Sequence, residues 1–419
     1  MTVLMLVPIL APLFAAVIAM AGGWRRWTAT LTVLSAVAVL ASGVALGVQT
    51  AARPRVVLAG MLRVDALSVT MLIVIGVVGT LATWASIGYL DSELQHGHTD
   101  LRDARRYGAL TPAFLSAMAV AVCANNIGVI WVAVEATTVI TAFLVGHRRT
   151  RTALEATWKY VVICSVGIAV AFLGTVLLYF AARHAGAVGA TALDLEVLTA
   201  HAGHLDPAVT RLAGGLLLIG YGAKVGLVPF HGWLADAHSQ APAPVSALMS
   251  GVLLSVAFSV LIRLRPIIDA ATGPGFLRSG LLTAGLATVL IAALLLTVTT
   301  DLKRMLAYSS MENMGLIAIA AAAGTKLAIA ALLLHVLAHG IGKTVLFLAG
   351  DSCRPRTTLR RSARSPRCCR GPGWSGGRSP SASLPCSGCR LSPCSPARWR
   401  SLDRSPVPGF PGYSASRWC

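Results

Sequence analysis

Long apolar stretches alternate with short polar connections along the first 350 residues of this chain. Several stretches exceed the roughly 18 residues that a helix needs to cross the apolar part of a bilayer. The longest connection, around 184–209, has room for a short interfacial helix. The pattern predicts an all-α polytopic membrane protein with about 11 transmembrane helices. The predicted spans lie near 3–22, 28–48, 65–89, 109–124, 126–146, 157–182, 210–228, 243–263, 278–300, 306–323 and 325–349.

The composition supports a membrane protein. Hydrophobic residues make up 56% of the chain and charged residues 12%, whereas a soluble domain has about 25% charged residues. The net charge of +19 is concentrated at the C-terminal end, because 13 of the 35 Lys and Arg residues follow Gly350. The remaining basic excess suits the loops of a membrane protein, so the charge does not indicate a nucleic-acid partner.

Two charged side chains lie deep inside predicted spans. Glu135 stands in NNIGVIWVAVEATTVITAFLVG, a stretch without a basic residue, and Lys224 stands in LLLIGYGAKVGLVP, shortly before Pro229. A lone ionisable group in a bilayer costs several kcal/mol and usually faces a protein interior or a water path. Backbone groups freed by a proline at that depth must line a cavity or find partners. These positions favour proton-carrying roles, and the alternative is a buried ion pair that sets helix packing.

A third group of titratable residues lies in HVLAHGIGK. His335, His339 and Lys343 are spaced i, i+4 and i+8, so they form one polar stripe along a helix. Imidazole gains and loses protons near neutral pH, which suits a proton relay. The alternatives are a packing role and a zinc site, although the third ligand of a metalloprotease helix is missing. Lys303, in DLKRM, is either part of this machinery or a positively charged anchor at the membrane surface.

Three segments together point to one family. KVGLVPFHGWLADAHSQAPAPVSALMSG, DLKRMLAYSSMENMG and HVLAHGIGKTVLFLAG resemble the proton-translocating antiporter-like membrane subunits of complex I, Mrp antiporters and group 4 [NiFe] hydrogenases. The resemblance covers roughly residues 60–350. The glutamate in SSMENMG and the segment EATWKYVVICSVGIAVAFLGTVLLY look most like a hydrogenase-4 or formate hydrogenlyase membrane subunit.

The resemblance implies a fold of about 14 helices with two inverted five-helix repeats, each with a broken helix, of which the second is truncated here. It implies that Glu135 and Lys224 are the acid and base of a first half-channel, and that Lys303, His335, His339 and Lys343 belong to a central polar axis. Ser250 stands where some relatives carry a further histidine, and Ala235 where proline is common. The implied organisation is N-terminal helices in 1–108, a first repeat in 109–265, an incomplete second repeat in 266–350 and a tail in 351–419.

The tail is rich in Arg, Ser, Pro and Cys and contains no apolar run long enough to span a membrane. This composition predicts disorder. A lipid-binding basic tail and a metal site at Cys386 and Cys389 are two interpretations. A frameshift is the favoured third, because the change is abrupt, begins inside a motif and removes lysine altogether.

The sequence thus favours a multi-pass plasma-membrane subunit that couples proton translocation to electron transfer in partner subunits. We expect no redox centre in this chain, because only Cys123 and Cys164 lie in the apolar part. NiFe and iron–sulfur centres would belong to the partners, whether or not the chain itself counts as an enzyme. The alternatives are an Mrp-type cation/proton antiporter subunit, an NADH-quinone oxidoreductase subunit and a truncated copy without function.

Overall fold

The computed structural model is almost entirely helical over the residues that it describes, which are 2–50, 55–58 and 60–352. This confirms the predicted all-α class. The helices are α1 (Thr2–Gly22), α2 (Arg26–Thr50), α3 (Ala66–Gln95), α4 (Leu101–Cys123), α5 (Ile127–Val145), α6 (Arg151–His184), α7 (Leu195–His201), α8 (Pro207–Val225), α9 (Gly232–Gln240), α10 (Ala243–Thr272), α11 (Gly275–Val298), α12 (Leu302–Ala323) and α13 (Lys326–Ser352). Two short strands, β1 (Arg55–Val57) and β2 (Leu62–Val64), pair antiparallel before α3. The predicted tail lies outside the described residues, apart from the two that end α13.

Each predicted span coincides with a helix, and α7 occupies the connection that was expected to hold a short helix. Within the described ranges, nine helices are long and apolar enough to cross a membrane by length and composition. The long helices α8 and α12 are not among them. α12 carries Lys303, Arg304 and Glu312, which lower its hydropathy. α4 begins at Leu101 rather than near 109, because its polar, arginine-rich first turns are also helical.

Side-chain caps determine where several helices begin. The capping oxygen accepts a hydrogen bond from a free backbone N–H of the first turn, which stabilises a helix by about 1 kcal/mol. The capping residues are Asp65 for α3, Asn126 for α5, Thr150 for α6, Asp206 for α8 and Asp301 for α12. The polar connections seen in the sequence are therefore also the start signals of the apolar helices.

The predicted break near Pro229 separates α8 from α9. α8 ends because Gly226 adopts a left-handed backbone conformation with φ of +82°, which glycine tolerates best. The backbone groups at the break find partners: the Trp233 indole N–H donates to the Ala223 carbonyl at 2.9 Å, and the Val228 N–H donates to the Thr288 hydroxyl at 3.0 Å. The unwound segment is therefore stable at a depth where free backbone groups would be costly.

α10 is the central helix of the fold, since 94% of its most apolar 18-residue stretch is buried inside the protein. Its backbone widens between Met249 and Leu253 into a turn with i to i+5 hydrogen bonding. Such wide turns are often found at functional sites. Gly251 in this turn lies directly against Gly340 of α13, because a Cβ at Gly251 would be 3.0 Å from the Gly340 carbonyl oxygen. Small residues thus bring the two helices close together.

Arg263 links α10 to α3 and α4 through an ion pair and hydrogen bonds. Its guanidinium, with the side chain 5% exposed, contacts both carboxylate oxygens of Asp65 at 3.2 and 3.4 Å and donates to Ser68 and the Val122 carbonyl. Burial by itself raises the pKa of the Asp65 carboxyl. The Arg263 charge, the Ser68 N–H and Arg63 outweigh that effect, so this pKa lies below its ordinary value.

Candidate functional site

Lys224 lies in the last turn of α8, directly before the break, and its side chain is completely buried. Its ammonium donates to the Thr138 hydroxyl of α5 at 2.8 Å and to the Tyr160 hydroxyl of α6 at 2.6 Å. The ammonium nitrogen also lies 4.8 Å from the centre of the Tyr160 ring. The carbonyl end of a helix favours a positive charge, so the position and the two hydroxyls both stabilise the lysine.

Glu135 lies on α5, one helical turn before Thr138, and is half-buried. Its Oε1 accepts a hydrogen bond from the Ser165 hydroxyl of α6 at 3.1 Å, and its Oε2 is buried without a partner in the described part of the chain. Among the described contacts, no ion pair joins Glu135 to Lys224 directly. The two residues predicted as an acid and a base share a cluster and are connected through the helix turn that carries Thr138.

The predicted stripe on α13 packs against α10 and α12, with His339 and Lys343 buried and His335 half-buried. The rings of His335 and His339 stack with centres 6.5 Å apart. His339 Nε2 lies 3.3 Å from the Ser250 carbonyl in the wide turn of α10, and Lys343 donates to the Leu306 carbonyl at 2.9 Å. His335 Nε2 is buried and has no partner in the described part of the chain.

Ser250 links His339 to the backbone acceptor of Lys343. Its hydroxyl hydrogen-bonds with the Ser310 hydroxyl of α12 at 2.6 Å, and Ser310 donates to the same Leu306 carbonyl that accepts from Lys343. Ser250 O therefore contacts His339, while its Oγ leads through Ser310 to the acceptor of Lys343. Ser250 thus contacts both α12 and α13.

Lys303, in the first turn of α12, is 6% exposed and donates to the Ala241 carbonyl at 3.1 Å, just beyond the end of α9. This burial is a poor match to a simple surface anchor, which would keep its charge in water. The neighbouring Arg304 is exposed and donates to Asp236 at 2.6 Å.

His238 is a residue that the sequence prediction missed. It lies on α9, is completely buried, and neither ring nitrogen has a partner in the described part of the chain. Its ring centre is 6.3 Å from that of Trp233 and 5.7 Å from that of Phe347. A histidine in the polar segment DAHSQ gives no sign of burial, and the break that folds this segment inward is a tertiary feature.

His238 lies between the other groups. Trp233 is 5.0 Å from the Tyr160 ring by ring centres, and Tyr160 binds Lys224. Its contact with Phe347, one helical turn after Lys343 on α13, brings the His238 ring next to the stripe of that helix. We define a first cluster, Glu135, Thr138, Tyr160, Ser165 and Lys224, and a second cluster, Ser250, Lys303, Ser310, His335, His339 and Lys343.

Chemically, the two clusters are suited to holding and exchanging protons. They combine amines, imidazoles, a carboxyl and hydroxyls, several with unused lone pairs, in a mostly apolar surrounding where each charge acts strongly on the next. Among the described residues, no group of three or more His, Cys, Asp and Glu side chains is placed to hold a metal ion.

A family model described as NADH:quinone oxidoreductase/Mrp antiporter, TM, matches residues 124–365. That range contains both clusters and His238. The hydrogenase-4 component F homolog of Methylacidiphilum infernorum (isolate V4) is 42% identical over 288 residues, which are 68% of this chain and 60% of that relative. The chain thus spans about 60% of the length of this curated relative.

Two solved structures have the same fold. One is the membrane-bound sulfane sulfur reductase, an archaeal respiratory membrane complex, with a TM-score of 0.73 and 23% identity over 83% of this chain and 70% of that one. The other is the Mrp complex from Dietzia sp. DQ12-45-1b, with a TM-score of 0.68 and 22% identity over 84% of this chain and 65% of that one.

Proposed function

Because this chain belongs to the NADH:quinone oxidoreductase/Mrp antiporter transmembrane family, we propose that it translocates protons as a membrane subunit of a hydrogenase-type redox complex. The observation that carries the proposal is the packing of the buried His238 ring against both Trp233, which contacts Tyr160 of the first cluster, and Phe347 of α13, the helix that carries most of the second. The hydrogenase-4 relative supports the choice of complex.

In this proposal, Glu135 and Lys224 are the acid and the base of the first cluster. Lys224 exchanges a proton with Tyr160 or Thr138, both of which it contacts. Glu135 exchanges one on the α5 side, where its Oε2 lacks a partner in the described part of the chain. The hydroxyls can both donate and accept, so they can pass a proton without carrying a net charge.

His238 connects the two clusters, and Lys303, His335, His339 and Lys343 form the axis beyond it. An added proton at one of these groups raises the free energy of protonating its neighbours, because the charges repel in a medium of low dielectric constant. Charge can therefore move along the axis by successive proton exchanges. Ser250 positions His339 through its carbonyl, and Ser310 shares the Leu306 carbonyl with Lys343.

We further propose that the partner subunits carry the redox centres, a NiFe site and iron–sulfur clusters, and that the complex lies in the plasma membrane. Iron–sulfur clusters are held by sets of cysteines. The described part of the chain has two cysteines, Cys123 and Cys164, both buried in its apolar core. This chain then supplies the proton path, and the partners supply the driving electron transfer.

The experiment uses sealed membrane vesicles from cells that make the complex, with H2, formate or NADH as the donor in separate arms. Proton uptake and electron flux are measured together, and their ratio is the readout. We expect Lys224→Ala to lower this ratio, because loss of a positioned proton-transfer group slows proton transfer by about 100-fold or more and leaves the redox centres of the partners unchanged. Lys326→Ala, at an exposed lysine where α13 begins, is the matched control and should keep the ratio.

An unchanged ratio in Lys224→Ala, with normal amounts of the chain in the membrane, would overturn the proposed role. Proton uptake driven by a sodium gradient without any donor would instead support an Mrp-type antiporter. Immunoblots of the vesicles measure the amount of the chain in the membrane. A smaller amount of complex lowers both fluxes and leaves their ratio unchanged, so loss of the protein is distinguished from loss of function.

A further inference from the structure

A cavity of about 750 Å³ lies between α1, α4, α5 and α6, outside both clusters. It is formed where α1 and α5 end and where α4 and α6 begin, so it lies at one surface of the helical bundle. Its volume is within the range of pockets that bind small organic ligands. Neither cluster supplies any of its lining residues.

The cavity wall formed by α5 and α6 is apolar, and its side chains are exposed at the surface of the bundle. Phe143, Leu154 and Trp158 are exposed by 67%, 47% and 68%, and Met20 and Val161 line the same space. Tryptophan is enriched at the boundary between the headgroups and the acyl chains of a bilayer. The wall therefore suits an acyl chain that enters from the membrane side.

The mouth of the cavity carries an excess of positive charge. Arg149 donates to Asp103 at 2.7 Å, and Arg106 lies 3.5 Å from the same carboxylate oxygen. One carboxylate thus faces two guanidinium groups, whose side chains remain 60% and 56% exposed. Each guanidinium has five N–H donors, so both keep donors free for a phosphate.

The backbone conformation at Arg149 helps to fix where its side chain lies. Arg149 adopts a left-handed conformation with φ of +49°, which is uncommon for a residue with a Cβ. This conformation follows the short helical turn Gly146–Arg148 and precedes the Thr150 cap of α6. The connection between α5 and α6 thus places the Arg149 guanidinium across from α4, at the mouth of the cavity.

The same end of the bundle is basic beyond this pair. Further exposed arginines lie on the loops and helix ends of this side, outside the cavity lining, namely Arg25, Arg26, Arg102, Arg105, Arg148 and Arg151. Two of them pair with acids, Arg26 with Asp91 and Arg148 with Glu93. Basic pockets between transmembrane helices on the positively charged side of a membrane protein bind anionic headgroups. Arg106 and Arg149 are the two arginines of this basic side that line the cavity, so they would hold such a headgroup at its mouth.

We propose that this cavity binds an anionic phospholipid, with its phosphate between Arg106 and Arg149 and an acyl chain along Phe143, Leu154 and Trp158. An inorganic phosphate would satisfy the arginines and leave the apolar wall uncovered. A zwitterionic lipid would cover the wall but bring a positive group to a basic mouth. The charged mouth and the apolar wall together therefore select the anionic lipid.

The test uses the full chain, purified in a neutral detergent and stripped of lipid. Phosphatidylglycerol, phosphatidylcholine or inorganic phosphate is added back, and the midpoint of thermal unfolding and the lipid retained in native mass spectra are measured. We expect phosphatidylglycerol alone to raise the midpoint and to remain bound at a ratio of one per chain. In the Arg106→Gln/Arg149→Gln variant, affinity should fall about 30-fold, since each basic group near a headgroup contributes about fivefold.

The matched control is Arg102→Gln/Arg151→Gln, which removes the same charge at the same surface without touching the mouth. This control should keep the affinity within about twofold. Equal loss in both variants would show a diffuse basic surface and overturn the site. An equal response to phosphate or to phosphatidylcholine would overturn the choice of ligand. A chain that binds no added lipid, and whose cavity is covered by a partner subunit in the intact complex, would overturn the lipid site itself.

Discussion

At the scale of single residues, Lys224 and His238 are both completely buried, yet their polar atoms are satisfied to different degrees. The Lys224 ammonium has two hydroxyl acceptors, whereas both His238 ring nitrogens lack partners among the described residues. A buried polar group without a partner costs about 1 to 3 kcal/mol. Such a cost is typical of positions retained for function at the expense of stability.

Replacing His238 should therefore separate stability from function. We expect His238→Leu to leave the unfolding midpoint unchanged or to stabilise the chain by about 1 kcal/mol, because two unsatisfied polar atoms are removed. The same variant should lose most proton uptake per electron in the vesicle assay. His204→Leu, at an exposed histidine in the connection between α7 and α8, should change neither quantity. A destabilised His238→Leu with a normal proton-to-electron ratio would assign the histidine a packing role instead.

At the scale of helices, the break between α8 and α9 positions His238 and the last turn of α8. Gly226 begins the break with its positive φ, and a Cβ there would collide with Leu234 of α9. The break is thus encoded in a backbone conformation as well as in Pro229. Without it, α9 would continue the direction of α8, and His238 could not lie between the two clusters.

We expect Gly226→Ala to destabilise the chain by about 1 to 3 kcal/mol, since alanine at positive φ is strained and its methyl group meets Leu234. The purified protein should therefore unfold at a lower temperature. Gly232→Ala, six residues later in α9, is a suitable control because nothing lies within 4 Å of its new methyl group. Equal midpoints for the two variants would show that the break tolerates a side chain at Gly226.

At the scale of the whole molecule, Arg263 of the central helix α10 pairs with Asp65, the cap of α3, and donates to the Val122 carbonyl of α4, so it joins these three helices. Because the pKa of Asp65 is lower in the folded chain than its ordinary value, the charged form stabilises the fold. This contribution is complete above the ordinary pKa of about 4 and is lost as the pH falls through the folded value.

The expected signature is a pH-dependent difference between the natural chain and Asp65→Asn. At pH 7 the variant should be less stable by about 3 kcal/mol, because Arg263 is left buried without a counter-charge. Below about pH 4 the difference should shrink, since the unfolded chain then binds a proton at Asp65 while the folded carboxyl stays charged until a lower pH. Thermal unfolding in detergent at pH 7, 5 and 3.5 measures it, with Asp269→Asn, which pairs with Arg265 on α10, for comparison. A difference that stays constant over this range would contradict the pKa argument.

Much of this fold was predictable because apolar stretches of span length have few alternatives to a helix in a bilayer. The helix ends were less predictable, as with α4, because polar first turns extend helices beyond their apolar part. The candidate residues Glu135, Lys224, Lys303, His335, His339 and Lys343 were recognisable because an ionisable group stands out in an apolar sequence. Their proton-transfer roles stay predictions, as do the repeat boundaries and the frameshifted tail.

The membrane class, the approximate spans and the candidate charges could be read from composition and periodicity, and the family resemblance from three local motifs. Which of these side chains meet depends on how the helices pack. The tertiary structure brought His238 into the core, made Ser250 the link between His339 and Ser310, and placed Arg106 and Arg149 around one carboxylate. The contact of Arg149 with Asp103 joins residues 46 positions apart, and that of His339 with Ser250 joins residues 89 positions apart. Local sequence carries no record of such distant neighbours.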